Sequence, residues 1–129
     1  MNPLCLDLGV GLIPWSPLAR GLLTGSRSRG GEKHTLRART DQFGDNLYSE
    51  DDFAIVDAVD EIAAARGVPA AQVALAWLLH QPAVTAPIFG ATKLAHVDDA
   101  VAAVTLKLDA DELKKLESPY KPHPISGHS

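Results

Sequence analysis

The sequence predicts an α/β fold with two parallel strands and about four to five helices. Three observations carry the prediction. Two short apolar runs bounded by Gly and Pro, "VGLIPW" (10–15) and "AVTAPIFG" (83–90), read as strands. Segments of helical spacing lie between and after them, and such alternation implies right-handed crossovers and a parallel sheet. The composition is 46% hydrophobic but only 5% aromatic. A core of Ala, Val, Leu and Ile follows, as is common where helices pack closely on strands.

Taken in order, residues 1–8 read as the end of a helix that Gly9 stops. The first strand, 10–15, is apolar on both faces, the mark of a strand buried on both sides in a parallel sheet. Pro14 fits near its end, since it cannot donate to a ladder. Residues 17–48 form a long connection without periodicity. Its middle, "SRSRGGEKHTLRART", sets Arg27, Arg29, Lys33, Arg37 and Arg39, with His34, against Glu32. Connections this long tend to be functional or mobile. The bland reading is a solvated loop; the functional one is an anion contact.

Ser49 is placed to cap the next helix, with Asp51 and Asp52 favouring its positive end. Phe53, Val56, Val59, Ile62 and Ala63 recur at helical spacing and face a core. Gly67 closes this helix, and Pro69 suits the first position of another. That helix, "AAQVALAWLLHQ" (70–81), is apolar enough to be core and ends before Pro82. After the second strand a helix runs from about 94 to 104. A last one starts at Asp109, with Glu112 at capping-box spacing. The proline-rich tail, 117–129, reads as extended. Two strands cannot make a parallel sheet alone, so the chain reads as part of a larger one.

Bulk properties exclude several classes. The formal charge is -4, without the basic balance that nucleic acid or an anionic membrane surface demands. Cys5 is the single cysteine, so no intrachain disulfide forms and a reducing setting suits the chain. No apolar run spans a bilayer, and "MNPLCLDLG" lacks the parts of a signal peptide. A cytoplasmic location is the expectation. His34, His80, His96, His123 and His128 show no metal-ligand spacing, so no metal site is expected.

The two strand ends carry the candidate chemistry. After the first come Ser16, Ala19, Arg20 and Gly21; after the second comes "GATKLAHVDDA" (90–100). Gly90 lets backbone approach an anion, Thr92 offers a hydroxyl, Lys93 a cation, and the helix from Leu94 its amino end. Together these can cradle a phosphate; the ordinary alternative is a plain strand-to-helix turn, with Trp15 capping a core and Pro17 ending a strand.

"GLIPWSPLARGLLTG", "AQVALAWLL" and "PIFGATKLAHVDDAV", in that order, resemble the carboxyl-terminal part of the aldo-keto reductase family, and "PYKPHPISGH" is similar to the ending of bacterial members. The resemblance implies an eight-stranded TIM (β/α)8 barrel and an NADP cofactor, with 10–15 as the seventh strand and "PIFGA" in the eighth. It places Trp15 against the nicotinamide ring, where a rigid apolar face holds one side and leaves the other open. It places Ser16, Pro17, Leu18, Arg20 and Gly21 beside the pyrophosphate. Thr92 and Lys93 fall near the 2′-phosphate that separates NADP from NAD, Gly90 and Ala91 among the cofactor-binding residues, and Asp99 at an acceptor for the adenine amino group. His96 stands where many members carry arginine, and Ala100 where many carry Asn.

The family's catalytic Asp, Tyr, Lys and His come from the other half of the barrel. Neither Tyr48 nor Tyr120 matches the catalytic position, so no catalytic residue is expected here. A complete barrel needs roughly 250 residues. Residues 1–129 therefore read as the carboxyl-terminal portion of one, without its amino-terminal half. The implied function is the cofactor-binding part of an NADP-dependent reductase of aldehydes or ketones. The alternative is an inactive remnant or interaction module with weak nucleotide affinity. Uncovered strand edges and helix faces imply self-association or pairing with the missing half.

Overall fold

The structure, a computed structural model, describes residues 2–26, 39–40 and 47–122. The elements are α1 (Asn2–Asp7), a 3-10 helix (Ala19–Thr24), α2 (Glu50–Arg66), α3 (Ala70–His80), α4 (Leu94–Thr105) and α5 (Ala110–Glu117). Most of the basic stretch, including Arg27, Arg29, Lys33, His34 and Arg37, lies outside the described residues, as does the tail beyond 122.

Local signals account for the helix ends. The Asp52 carboxylate reaches back to accept from the Ser49 backbone N–H (2.7 Å) and hydroxyl (3.1 Å). Glu50, Asp51 and Asp52 then sit at the positive end of α2. The helix ends at Gly67. Pro69 is the N-cap of α3 rather than its first residue, and α3 stops at His80, one residue short of the expected end. At α5 the cap is reciprocal. Asp109 Oδ1 accepts from the N–H groups of Asp111 and Glu112, while Glu112 Oε2 accepts from the Asp109 N–H at 2.8 Å.

The core lies where α2, α3 and α5 meet. Ala58, Val59, Ile62 and Ala63 of α2 pack with Val73 and Ala76 of α3, Leu108, and Leu116 of α5. Leu23 of the 3-10 helix and Trp77 lean on its edge. In α3 the run Val73–Ala76 is buried residue by residue, because α2, α4 and the 3-10 helix all pack on it. Polar ties also fasten α5 outside this core, among them an ion pair from Lys115 to Glu61 of α2. Arg66 donates to both carboxylate oxygens of Glu112, with Nε–Oε1 at 2.6 Å. The Trp77 indole N–H donates to Glu117 Oε1 at 3.1 Å.

The two expected strands are present only as extended segments. They touch at two isolated parallel bridges, Leu12–Val84 and Trp15–Ile88, and no continuous strand occurs among the described residues. The hydrogen bonds are Leu12 N–H to Ala83 O, Thr85 N–H to Leu12 O and Ile88 N–H to Pro14 O, each 2.8 Å. The reason is chemical. Val84 lies 72 positions beyond Leu12 but Ile88 lies 73 beyond Trp15, so one residue is bulged out between the bridges. Pro14 and Pro87, one on each segment, supply no N–H there. The expected burial of residues 10–15 on both sides is corrected too. Leu12 and Pro14 are half-buried, but Ile13 is 62% and Trp15 70% exposed, and nothing among the described residues covers that face.

Candidate functional site

The bridges decide what the site is made of. Trp15 pairs with Ile88 in parallel, so the chain leaves both segments at the same end. Residues 16–26 depart from one and 89–93 from the other.

The first loop is built on unusual backbone. Ser16 (φ 54), Ala19 (φ 49) and Arg20 (φ 54) are left-handed without being glycine, and Gly21 follows at φ 97. Each non-glycine residue costs about 1–2 kcal/mol in that region. The turn is held by Ala19 N–H to Ser16 O (2.9 Å), Gly21 N–H to Leu18 O (3.0 Å) and Ser26 N–H to Gly21 O (3.0 Å). Gly21 is needed twice over, since a Cβ there would also lie 2.8 Å from Ser26 Cβ. Ser16, Pro17, Leu18, Arg20 and Gly21 are half-buried, while Trp15 before them is exposed.

The second loop is open. Gly90, Ala91, Thr92 and Lys93 are exposed, and the space in front of Gly90 is clear to 4 Å. Lys93 is the N-cap of α4 in extended conformation, and its own side chain makes no cap hydrogen bond. The leading N–H groups of α4 thus point toward the loop. His96 folds back instead: its Nδ1 accepts a long hydrogen bond (3.5 Å) from the Thr92 N–H. This occupies one nitrogen of the ring.

Asp99 lies one turn further along α4, half-buried, where its Oδ1 accepts from Gln72 Nε2 of α3 at 2.8 Å. The Trp15, Lys93 and Asp99 positions therefore belong to one strand-end region and the helix rising from it. Two contributors escaped sequence reasoning. Gln72 is one; the other is Gly11, where a Cβ would overlap Thr85 Oγ1, so a larger residue would force the Thr85 side chain to move. A glycine inside a strand pattern was the available signal for Gly11.

A separate apolar cavity of about 460 Å3 opens behind the 3-10 helix, between Pro17, Leu23, Ile55, Trp77, Leu116 and Tyr120. Of the candidate residues only Pro17 lines it. No cluster of potential metal ligands occurs among the described residues, and no single helix there is long and apolar enough to cross a membrane.

Parallel segments bridged side by side, with helices packed outside, are the arrangement of part of an α/β barrel, and solved barrels bear this out. A thermostable aldo-keto reductase, determined with the inhibitor epalrestat, superposes with TM-score 0.61 at 28% identity, over 92% of this chain and 33% of its own. The glycerol dehydrogenase of Gluconobacter oxydans superposes with TM-score 0.69 at 25% identity, over 100% of this chain and 40% of its own.

Residues 1–121 match the Aldo/keto reductase family, and the chain belongs to that family of oxidoreductases. A Schizosaccharomyces pombe protein, provisionally named an aryl-alcohol dehydrogenase, is 46% identical over 98% of this chain and 38% of its own length. Versiconal hemiacetal acetate reductase of Aspergillus parasiticus is 46% identical over 97% of this chain and 36% of its own. The chain thus spans little more than a third of the curated relatives it matches.

Proposed function

We propose that this chain supplies the cofactor-binding portion of an NADP-dependent reductase of aldehydes or ketones, with the catalytic residues outside it. The pairing of Trp15 with Ile88 carries the reading, because it sets the strained Ser16–Gly21 loop and the open Gly90–Lys93 loop at one end of the same pair. The residues fit a dinucleotide phosphate. Trp15 offers a flat exposed face to a nicotinamide. Ser16, Pro17, Leu18, Arg20 and Gly21 flank the pyrophosphate. Gly90, Ala91, Thr92 and Lys93 take the 2′-phosphate, with the start of α4, where Lys93 leaves the N-cap side-chain bond unmade, adding N–H groups and partial positive charge. Asp99 takes the adenine amino group.

When bound, the cofactor supplies the hydride that reduces a carbonyl to an alcohol. This chain's residues bind and orient it. The names of the relatives, an aryl-alcohol dehydrogenase, a glycerol dehydrogenase and a hemiacetal acetate reductase, support the carbonyl–alcohol class and none narrower.

The test is titration with NADPH, followed by fluorescence. Lys93→Ala removes one charge-assisted contact and is expected to weaken binding about tenfold or more. Equal and negligible binding by both proteins would sink the proposal. It would favour the second reading, an inactive remnant or interaction module. The apolar stripe Leu94, Val97, Val101 and Val104, exposed along α4, supports that reading and also association with a second copy or a complementary barrel portion.

A further inference from the structure

We infer that Gln72 is a positioning residue for adenine recognition, holding the Asp99 carboxylate in place from the neighbouring helix. This rests on the reading of Asp99 given above.

The inference begins with the start of α3. Gln72 is the third residue of that helix, and its backbone N–H is already engaged by Pro69 O at 2.9 Å. A glutamine at this position ordinarily turns its side-chain oxygen back to the N-cap N–H, closing a capping box. Pro69 has no N–H, so that partner does not exist. The side chain reaches across instead and donates Nε2–H to Asp99 Oδ1 of α4 at 2.8 Å, in a half-buried setting. Both ends of the bond stand on helices that pack closely together.

A neutral amide donor suits this task. It fixes one carboxylate oxygen without neutralising the group, as an arginine or lysine partner would. A carboxylate with one oxygen pinned keeps fewer rotamers, so an N–H donor from the ligand meets an acceptor that is already oriented. Asp99 accepts only, which matches the exocyclic amino group of adenine and mismatches the carbonyl of hypoxanthine. Gln72 thereby acts on base selectivity through Asp99, without touching the ligand.

The test compares NADPH with its deamino analogue, which carries hypoxanthine in place of adenine, by fluorescence titration of the full chain. The parent protein is expected to prefer NADPH about threefold to tenfold, an ordinary hydrogen bond's worth. Asp99→Asn keeps an acceptor for Gln72 but loses that preference. Gln72→Leu is expected to reduce the preference toward unity and to add nothing in the Asp99→Asn background. A melting curve accompanies each variant. If Gln72→Leu does not fold, the near-isosteric Gln72→Glu, which replaces the donor with an acceptor, is read instead. A folded Gln72 variant that retains the parent's preference overturns the inference while leaving the proposed function standing. Equal binding of the two dinucleotides by the parent overturns it through Asp99. A parent that binds neither overturns the proposed function and this inference with it.

Discussion

At the scale of single residues, Gly11 and Gly21 show how little room the strand ends leave. Gly11 faces Thr85 so closely that a methyl group there would displace the Thr85 side chain. Gly11→Ala is expected to cost about 1–3 kcal/mol by overpacking, and to loosen the Leu12–Val84 and Trp15–Ile88 bridges. Amide hydrogen exchange at Leu12, Thr85 and Ile88 reads the second effect directly: their N–H groups donate across the pair and should exchange faster in the variant. Unchanged protection would show that the segments do not need the close approach. Trp15 belongs to the same scale. Its position at a strand end was legible from "IPWSP", but its 70% exposure was not, because exposure depends on what lies over it.

At the scale of elements, the helix ends follow from contacts within four residues, and these were readable in advance. Asp109 with Glu112 closes its turn as the spacing predicts, and Ser49, expected as a cap, is joined there by the Asp52 carboxylate. Glu112 does more than cap. Arg66 hydrogen-bonds its carboxylate and, with the Asp109 N–H and the guanidinium charge, holds it below the usual glutamate range against an opposing desolvation. A carboxyl whose folded value is lowered favours the fold when ionised. Its contribution is therefore complete above the ordinary glutamate range and is lost as pH falls through the lowered value. Asp60 has the opposite sign: desolvation, and then Asp57, raise it, so its ionisation disfavours the fold as pH rises through the raised value. Glu112→Gln is expected to flatten the acid limb of a stability-versus-pH curve measured by urea unfolding. The effect is modest, since the pair is partly solvated, and it shrinks with added salt. An acid limb identical to the parent's would remove Glu112 from the account.

At the scale of the whole molecule, helices that were expected to be core are core, but much apolar surface is left uncovered. Leu94, Val97, Val101 and Val104 recur along one side of α4, between 40% and 77% exposed. Leu4, Leu6 and Leu8, on and just beyond α1, are more than half exposed as well. Apolar surface of this extent drives association. Sedimentation velocity on the isolated chain is expected to show species heavier than its 13.7 kDa, dissociating when Val101 and Val104 are replaced by Ser. A soluble monomer with a cooperative melt would count against the proposed association.

The sequence by itself determined the five α-helices, the caps at Ser49 and Asp109 and the family, because capping residues, helical periodicity and motif order are local or one-dimensional patterns; it did not show the 3-10 helix Ala19–Thr24. Tertiary structure alone decided three things. The segments of 10–15 and 83–90 meet at bridges rather than in a ladder, since two prolines and a bulge fall opposite each other. Asp99 is held by Gln72, since Pro69 denies the glutamine its local partner. Trp15 faces outward, since burial is a property of what packs against a residue and no pattern within a strand can supply its neighbours.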